Sequence, residues 1–207
     1  IVADKTPGFY AFSNPALLQF ARSSQFGLSL QSMSLDRSIQ SFSFVKNLPP
    51  SAGVGLALLR YGTNNIMGSD YMNRKTEIFS MYETEGIMSF GVAFGHKLAA
   101  GINIKIFFQS MAPEILNNNG GHQNGDGIFW DFGIIYKFNR RLLLGVKFED
   151  LNGSYTWKIL NPCDDKERNY QEYPPQTIKL GISYTRYKNT SIFFQEDIVS
   201  IPGKYIN

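Results

Sequence analysis

The chain has 207 residues, 43% of them hydrophobic, 14% aromatic and 18% charged, with a net charge of +3. Low charge with abundant aromatics and glycine excludes intrinsic disorder, a coiled coil and a heavily solvated helical bundle. One cysteine, Cys163, excludes an internal disulfide framework, and the small, scattered positive charge leaves no nucleic-acid footprint.

The length suits one domain. No run of about 18 apolar residues is present, so a membrane-spanning helix is not available. A β-barrel is the other fold whose backbone is satisfied in a bilayer. The chain opens Ile1-Val2-Ala3 without Met, which reads as a processed chain or a fragment.

From about residue 25 onward, apolar side chains recur at every second position. Phe26, Leu28 and Leu30 alternate with Gly27, Ser29 and Gln31; Phe42 and Phe44 with Ser41 and Ser43; Val54, Leu56 and Leu58 with Gly53, Gly55 and Ala57. Met88, Phe90, Val92 and Phe94 follow the same rule, and four clearer strands are expected over 102–109, 128–138, 142–149 and 178–184. Their even positions, from Ile102 to Tyr184, carry no charge. Their odd positions include Asn103, Lys105, Gln109, Asp131, Lys137, Lys147, Glu149 and Lys179. Alternate side chains of a strand face opposite sides of the sheet, so one face is oily and the other wet. A ninth strand near 191–198 is less regular, because Glu196 falls among its apolar residues.

The connections after the first tight hairpin run short, long, short, long. The long ones are expected at 61–85, 110–126 and 150–176, and the short ones near Pro49-Pro50, Lys97, Asn139 and Lys188. That is the plan of an all-β, antiparallel, up-and-down transmembrane barrel, with short turns toward the periplasm and long loops outside. A soluble lipid-binding β-barrel would use the same alternation with its oily face inward. Small residues on the less oily face, Asn/Gly-rich loops, and Tyr61, Trp130, Tyr136, Tyr155, Trp157, Tyr184 and Tyr187 near strand ends favour the membrane form. A Lys facing lipid costs about 2–4 kcal/mol at midplane, so the even positions face lipid and the charged ones the lumen. An odd strand number, against the even numbers of bacterial barrels, implies either strands missing from the chain or a further strand within 69–84.

Signals for catalysis are weak. His96 and His122 lack metal-ligand spacing, Asn124-Gly125-Asp126-Gly127 and Asp164-Asp165 do not repeat a calcium loop, and Cys163 reads as a free loop thiol. No enzyme activity, metal or cofactor is expected. Lys105, Asp131, Lys137, Lys147, Glu149 and Lys179, with Asn103 and Gln109, are expected to line the lumen. They read as a salt-bridge network filling the interior, or as a positively biased conduit. Phe107 and Phe129 either line an apolar pocket or pack against a plug.

Residues 7–19 contain Asn14-Pro15-Ala16 followed by Leu17. This run resembles the Asn-Pro-Ala segment near the N-terminus of the FadL-like outer-membrane barrels, a superfamily that includes fatty-acid transporters and the PorV proteins of type IX secretion. The stretches 144–152 and 173–184, the second with Pro174-Pro175 just before a strand, resemble PorV-type strands. The resemblance implies that residues 1–24 fold inward as a plug, that 25–207 form barrel strands, and that the whole barrel has about fourteen strands, the C-terminal ones lying beyond this chain. It implies a bacterial outer-membrane protein among lipids that holds or hands over exported proteins, its partners being secretion or surface proteins met through loops 61–85, 110–126 and 150–176. The alternative is a FadL-like channel for hydrophobic small molecules.

Overall fold

A computed structural model describes residues 2–3, 9–21, 23–69, 72–111, 123–161, 166–187 and 190–200. A single helical turn, α1 (Tyr10–Ser13), and a 3₁₀ segment (Pro15–Phe20) precede eleven strands. These are β1 (Gln25–Met33), β2 (Arg37–Leu48), β3 (Ala52–Ser69), β4 (Lys75–Phe94), β5 (Leu98–Met111), β6 (Gln123–Lys137) and β7 (Leu142–Leu151). There follow β8 (Tyr155–Asn161), β9 (Lys166–Glu172), β10 (Gln176–Tyr187) and β11 (Thr190–Ser200). Nine of them form one antiparallel wall in the order β1-β2-β3-β4-β5-β6-β7-β10-β11, and β8 and β9 make a hairpin hung on β6. The sheet ends at β1 on one side and β11 on the other.

The alternation decides which way the wall faces. Phe26, Phe42, Leu56, Phe132, Ile134 and Ile182 are exposed on the outer side. Asn103, Lys105, Asp131 and Lys147 are buried on the inner side. An apolar face this extensive has no place in water, and the buried charges lie on the opposite face. That arrangement is the reverse of a soluble lipid-binding barrel, whose oily residues would turn inward. Arginine in place of Ile134 is therefore expected to cost about 2–4 kcal/mol in unfolding from lipid vesicles, against about 0–1 for Phe138→Arg in the last row. Equal costs at the two sites would remove the lipid from the outer face.

Two expected loops are largely strand. β3 and β4 run on to Ser69 and back from Lys75, with register shifts after Thr63 and Met67. Broken parity hides this hairpin extension from a strict period of two, and Asn65 at φ 55 marks the first break. The stretch 150–176 contains β8 and β9, in which Trp157 pairs with Gly125 on one side and Tyr170 on the other. Residues 112–122, with His122, and Cys163 with Asp164-Asp165 lie outside the described residues.

The inner face is filled from the N-terminus. Ala16, Leu17 and Leu18 are buried with Tyr10, Val45, Ala99, Ile135 and Leu143 in the main apolar cluster. A Cβ on Gly53, Gly91, Gly101 or Gly133 would overlap the backbone of Leu18 or Pro15 or the side chain of Asn14. The small residues along these strands thus make room for the segment, which lies directly on the wall.

Candidate functional site

At the wall's centre, Asp131 of β6 is fully buried and accepts four hydrogen-bonding or ionic contacts. Lys105 Nζ lies 3.1 Å from Oδ1 and Lys147 Nζ 3.2 Å from Oδ2. Asn103 Nδ2 donates to Oδ2 at 2.9 Å and the Asp150 amide to Oδ1 at 3.1 Å. Neighbouring strands bring these groups together: Asn103 stands opposite Asp131 across β5–β6 and Ile104 opposite Trp130. Inward side chains of adjacent strands in this register are side-by-side neighbours.

Around this centre, Lys105 also meets Asp150 at 2.7 Å, Glu85 at 3.7 Å and Glu149 at 3.8 Å. Lys147 meets Glu149 at 2.8 Å, and Lys179 pairs with the other oxygen of Glu149. Buried charges persist only when paired and hydrogen-bonded, and each carboxylate here has an ammonium partner.

Two members lie outside the alternating runs that the sequence shows. Between Trp130↔Leu151 and Phe132↔Phe148, β7 sets Glu149 and Asp150 against the single residue Asp131. This bulge, with Asp150 at φ 59, turns two successive carboxylates to the same side. Glu85 lies in the stretch read as loop 61–85. An acidic pair at the end of a regular strand, next to Asn152, is the signal that could have pointed to the bulge.

The cluster also grips the N-terminal segment. A single helical turn leaves its last carbonyls without intrahelical donors. Here Asn103 Nδ2 donates to the Ala11 carbonyl at 2.9 Å and Lys147 Nζ to the Phe12 carbonyl at 3.2 Å. Asn14 is fully buried; its Oδ1 accepts from the Ala16 amide at 3.0 Å, and its Nδ2 donates to the Val146 carbonyl at 3.2 Å. Asn14 thus caps the 3₁₀ turn that Pro15 begins, while fastening it to β7. Residues Asn14, Pro15 and Ala16 form the contact with β6 and β5, over Gly133 and Gly101.

On the side of the cluster toward β8, three rings meet. Phe107 and Phe129 stand edge-to-face at 5.0 Å between centroids, with Tyr155 at 5.6 Å and 4.9 Å from them. Lys105 Nζ lies 5.9 Å from the Phe107 centroid, joining rings to charges. Trp157 is buried over Gly125 and donates from Nε1 to Glu172 at 2.9 Å. Tyr155 and Trp157 therefore belong to the inner face rather than to an interfacial girdle, because β8 continues the wall where β7 turns away. Gln109 sits between Glu83 and Gly125, and Lys137 lies at the opposite, short-turn end, where it lines a cavity of about 200 Å³ with Phe20, Lys97 and Ile135. Neither joins the cluster. Among the described residues no group of three His, Cys, Asp or Glu side chains could hold a metal ion.

An antiparallel wall, oily outside and charged inside, with its own N-terminus latched across the inner face, has the architecture of a plugged outer-membrane β-barrel. No family model matches the sequence, nor does any curated protein. Among solved structures the chain is similar to TodX, a monoaromatic hydrocarbon channel, in its deltaS2S3 mutant, with TM-score 0.58 at 15% identity over 93% of this chain. The chain spans 66% of that channel's length. The likeness shows the fold alone.

Proposed function

We propose that this chain is the wall and plug of a bacterial outer-membrane channel that takes up small hydrophobic molecules. The observation that carries the reading is the ring cluster of Phe107, Phe129 and Tyr155 on the inner face, set against a charge cluster that holds the N-terminal segment in place. An apolar solute entering from the long-loop side meets aromatic faces first, where stacking and area burial favour it. It then meets the latched segment, whose displacement opens the way. The similarity to a hydrocarbon channel supports uptake over the handover of exported proteins that the resemblance to PorV-type strands implies.

The test is uptake of a radiolabelled aromatic hydrocarbon into vesicles carrying the full-length protein. Phe107→Arg is expected to lower the initial rate at least about tenfold, as one ring contact of about 0.5–1.5 kcal/mol is lost and a charge is placed in its stead. Phe107→Leu should retain most of the rate. A wild-type rate no higher than that of empty vesicles would end the channel reading. Undiminished uptake by Phe107→Arg would remove the rings from the path.

A further inference from the structure

We propose that the short-turn end of the wall is a collar that binds the phosphate headgroups of anionic phospholipids. The proposal rests on the lipid-facing reading of the outer surface. Three outward rows of apolar side chains end in a basic residue at this same end. Phe42 and Phe44 lead to Lys46 on β2; Ile134, Tyr136 and Phe138 lead to Arg140 past β6; and Ile182 and Tyr184 lead to Arg186 on β10. Between them, His96 and Lys97 occupy the β4–β5 turn and Arg141 the β6–β7 turn, and all of these side chains are exposed.

Among the described residues, no Asp or Glu stands in these turns or in the four strand positions on either side of each. The opposite end differs: Arg37, Arg74 and Lys75 share it with Asp36, Asp126 and Glu172. The exposed cations of β2 and of the β4–β5 and β6–β7 turns form a positive field along this stretch of the rim. Their position, directly beyond the last exposed rings, is the depth at which headgroups begin. Guanidinium and ammonium groups there pair with phosphate oxygens, arginine in bidentate fashion. Short turns of outer-membrane barrels face the periplasm, so the occupant is a glycerophospholipid of that leaflet with net negative charge.

The full-length protein in neutral detergent, offered equimolar phosphatidylglycerol and phosphatidylcholine, is expected to retain the first preferentially when bound lipid is counted by native mass spectrometry. Lys46→Gln/Arg140→Gln/Arg141→Gln should reduce that preference at least about tenfold, since each basic side chain near an anionic surface contributes about fivefold. The control Arg37→Gln/Arg74→Gln/Lys75→Gln removes the same charge at the other end and should leave the preference unchanged. Equal retention of both lipids by the wild type, or an equal loss in the control, would overturn the collar. So would a preference for lipopolysaccharide over phosphatidylglycerol, which would place the partner in the other leaflet. A chain that stays folded in solution without detergent would instead overturn the membrane reading, and this is visible before any lipid is added.

Discussion

Asp131→Ala is expected to destabilise the barrel by about 3 kcal/mol, at the lower end of the ~3–5 kcal/mol typical when one partner of a buried ion pair is removed. The lower end applies because Lys105 still faces Asp150 at 2.7 Å and Lys147 still faces Glu149 at 2.8 Å. The Asp150 amide and the Asn103 side chain, however, both lose an acceptor in a buried site. For a chain of this size the shift corresponds to about 6–12 °C in the thermal midpoint, followed by circular dichroism in detergent. Removing both signs together, as in Asp131→Leu/Lys147→Met, should cost less than the sum of the single changes. Asp126→Ala, at an exposed position of the same strand, provides the comparison. If Asp131→Ala melts no lower than Asp126→Ala, the cluster does not hold the wall.

The second large effect is expected at Gly133. A methyl group there would occupy the position of the Asn14 amide oxygen, and one at Gly101 the position of the Pro15 carbonyl. The wall is fixed by its ladders on both sides, so the N-terminal segment must move. Overpacking of this kind costs about 1–3 kcal/mol, comparable with what a few contacts contribute to holding a short segment. Gly133→Ala/Gly101→Ala should therefore raise the conductance of the full-length protein in planar bilayers several-fold and expose the bonds near Tyr10 to protease. At Gly86 a Cβ would meet nothing closer than 4.0 Å, so Gly86→Ala should leave both readouts unchanged. Unaltered conductance and protection in the double variant would show that the segment does not close the lumen.

The two variants separate two ways of holding the same element. Asp131→Ala weakens the polar grip on the Ala11 and Phe12 carbonyls indirectly, by loosening Asn103 and Lys147. The glycine changes act on the apolar and steric seat beneath Asn14 and Pro15. Protease sensitivity without a large thermal shift is expected for the glycine pair, and both together for Asp131→Ala.

How much of the site was legible can be judged residue by residue. Parity alone puts Asn103, Lys105, Phe107, Phe129, Asp131 and Lys147 on one face, because each lies within an unbroken run of alternation. It fails at Asp150, where a bulge adds one residue and reverses the phase. Glu85 keeps the inward parity of Ile87 and Ser89, and it is missed because register shifts further along β3 and β4, beyond Thr63 and Met67, disguise the long hairpin as a loop. Tyr155 and Trp157 read as interfacial residues because their strand, β8, lies within the stretch 150–176 that reads as a loop, so parity is not applied to them. The glycines of β3 to β7 were legible as a small-residue face, but their purpose was not: a sequence does not indicate which distant segment will lie against them.

The sequence by itself determined the class of fold and the direction of the wall. Apolar side chains recur at every second position along the strands, charge falls on the other face in four of them, and only one orientation keeps that charge away from hydrocarbon. The tertiary structure decided what the inner charges do. Whether a lysine lines an open conduit or is neutralised depends on distances of about 3 Å between strands and on the kink at Asp150, and pair energies fall steeply with such distances. It also decided that residues far apart in the chain, Asn14 and Gly133, or Phe12 and Lys147, share one contact. Such pairings follow from sheet curvature and register, quantities that no local pattern of residues contains.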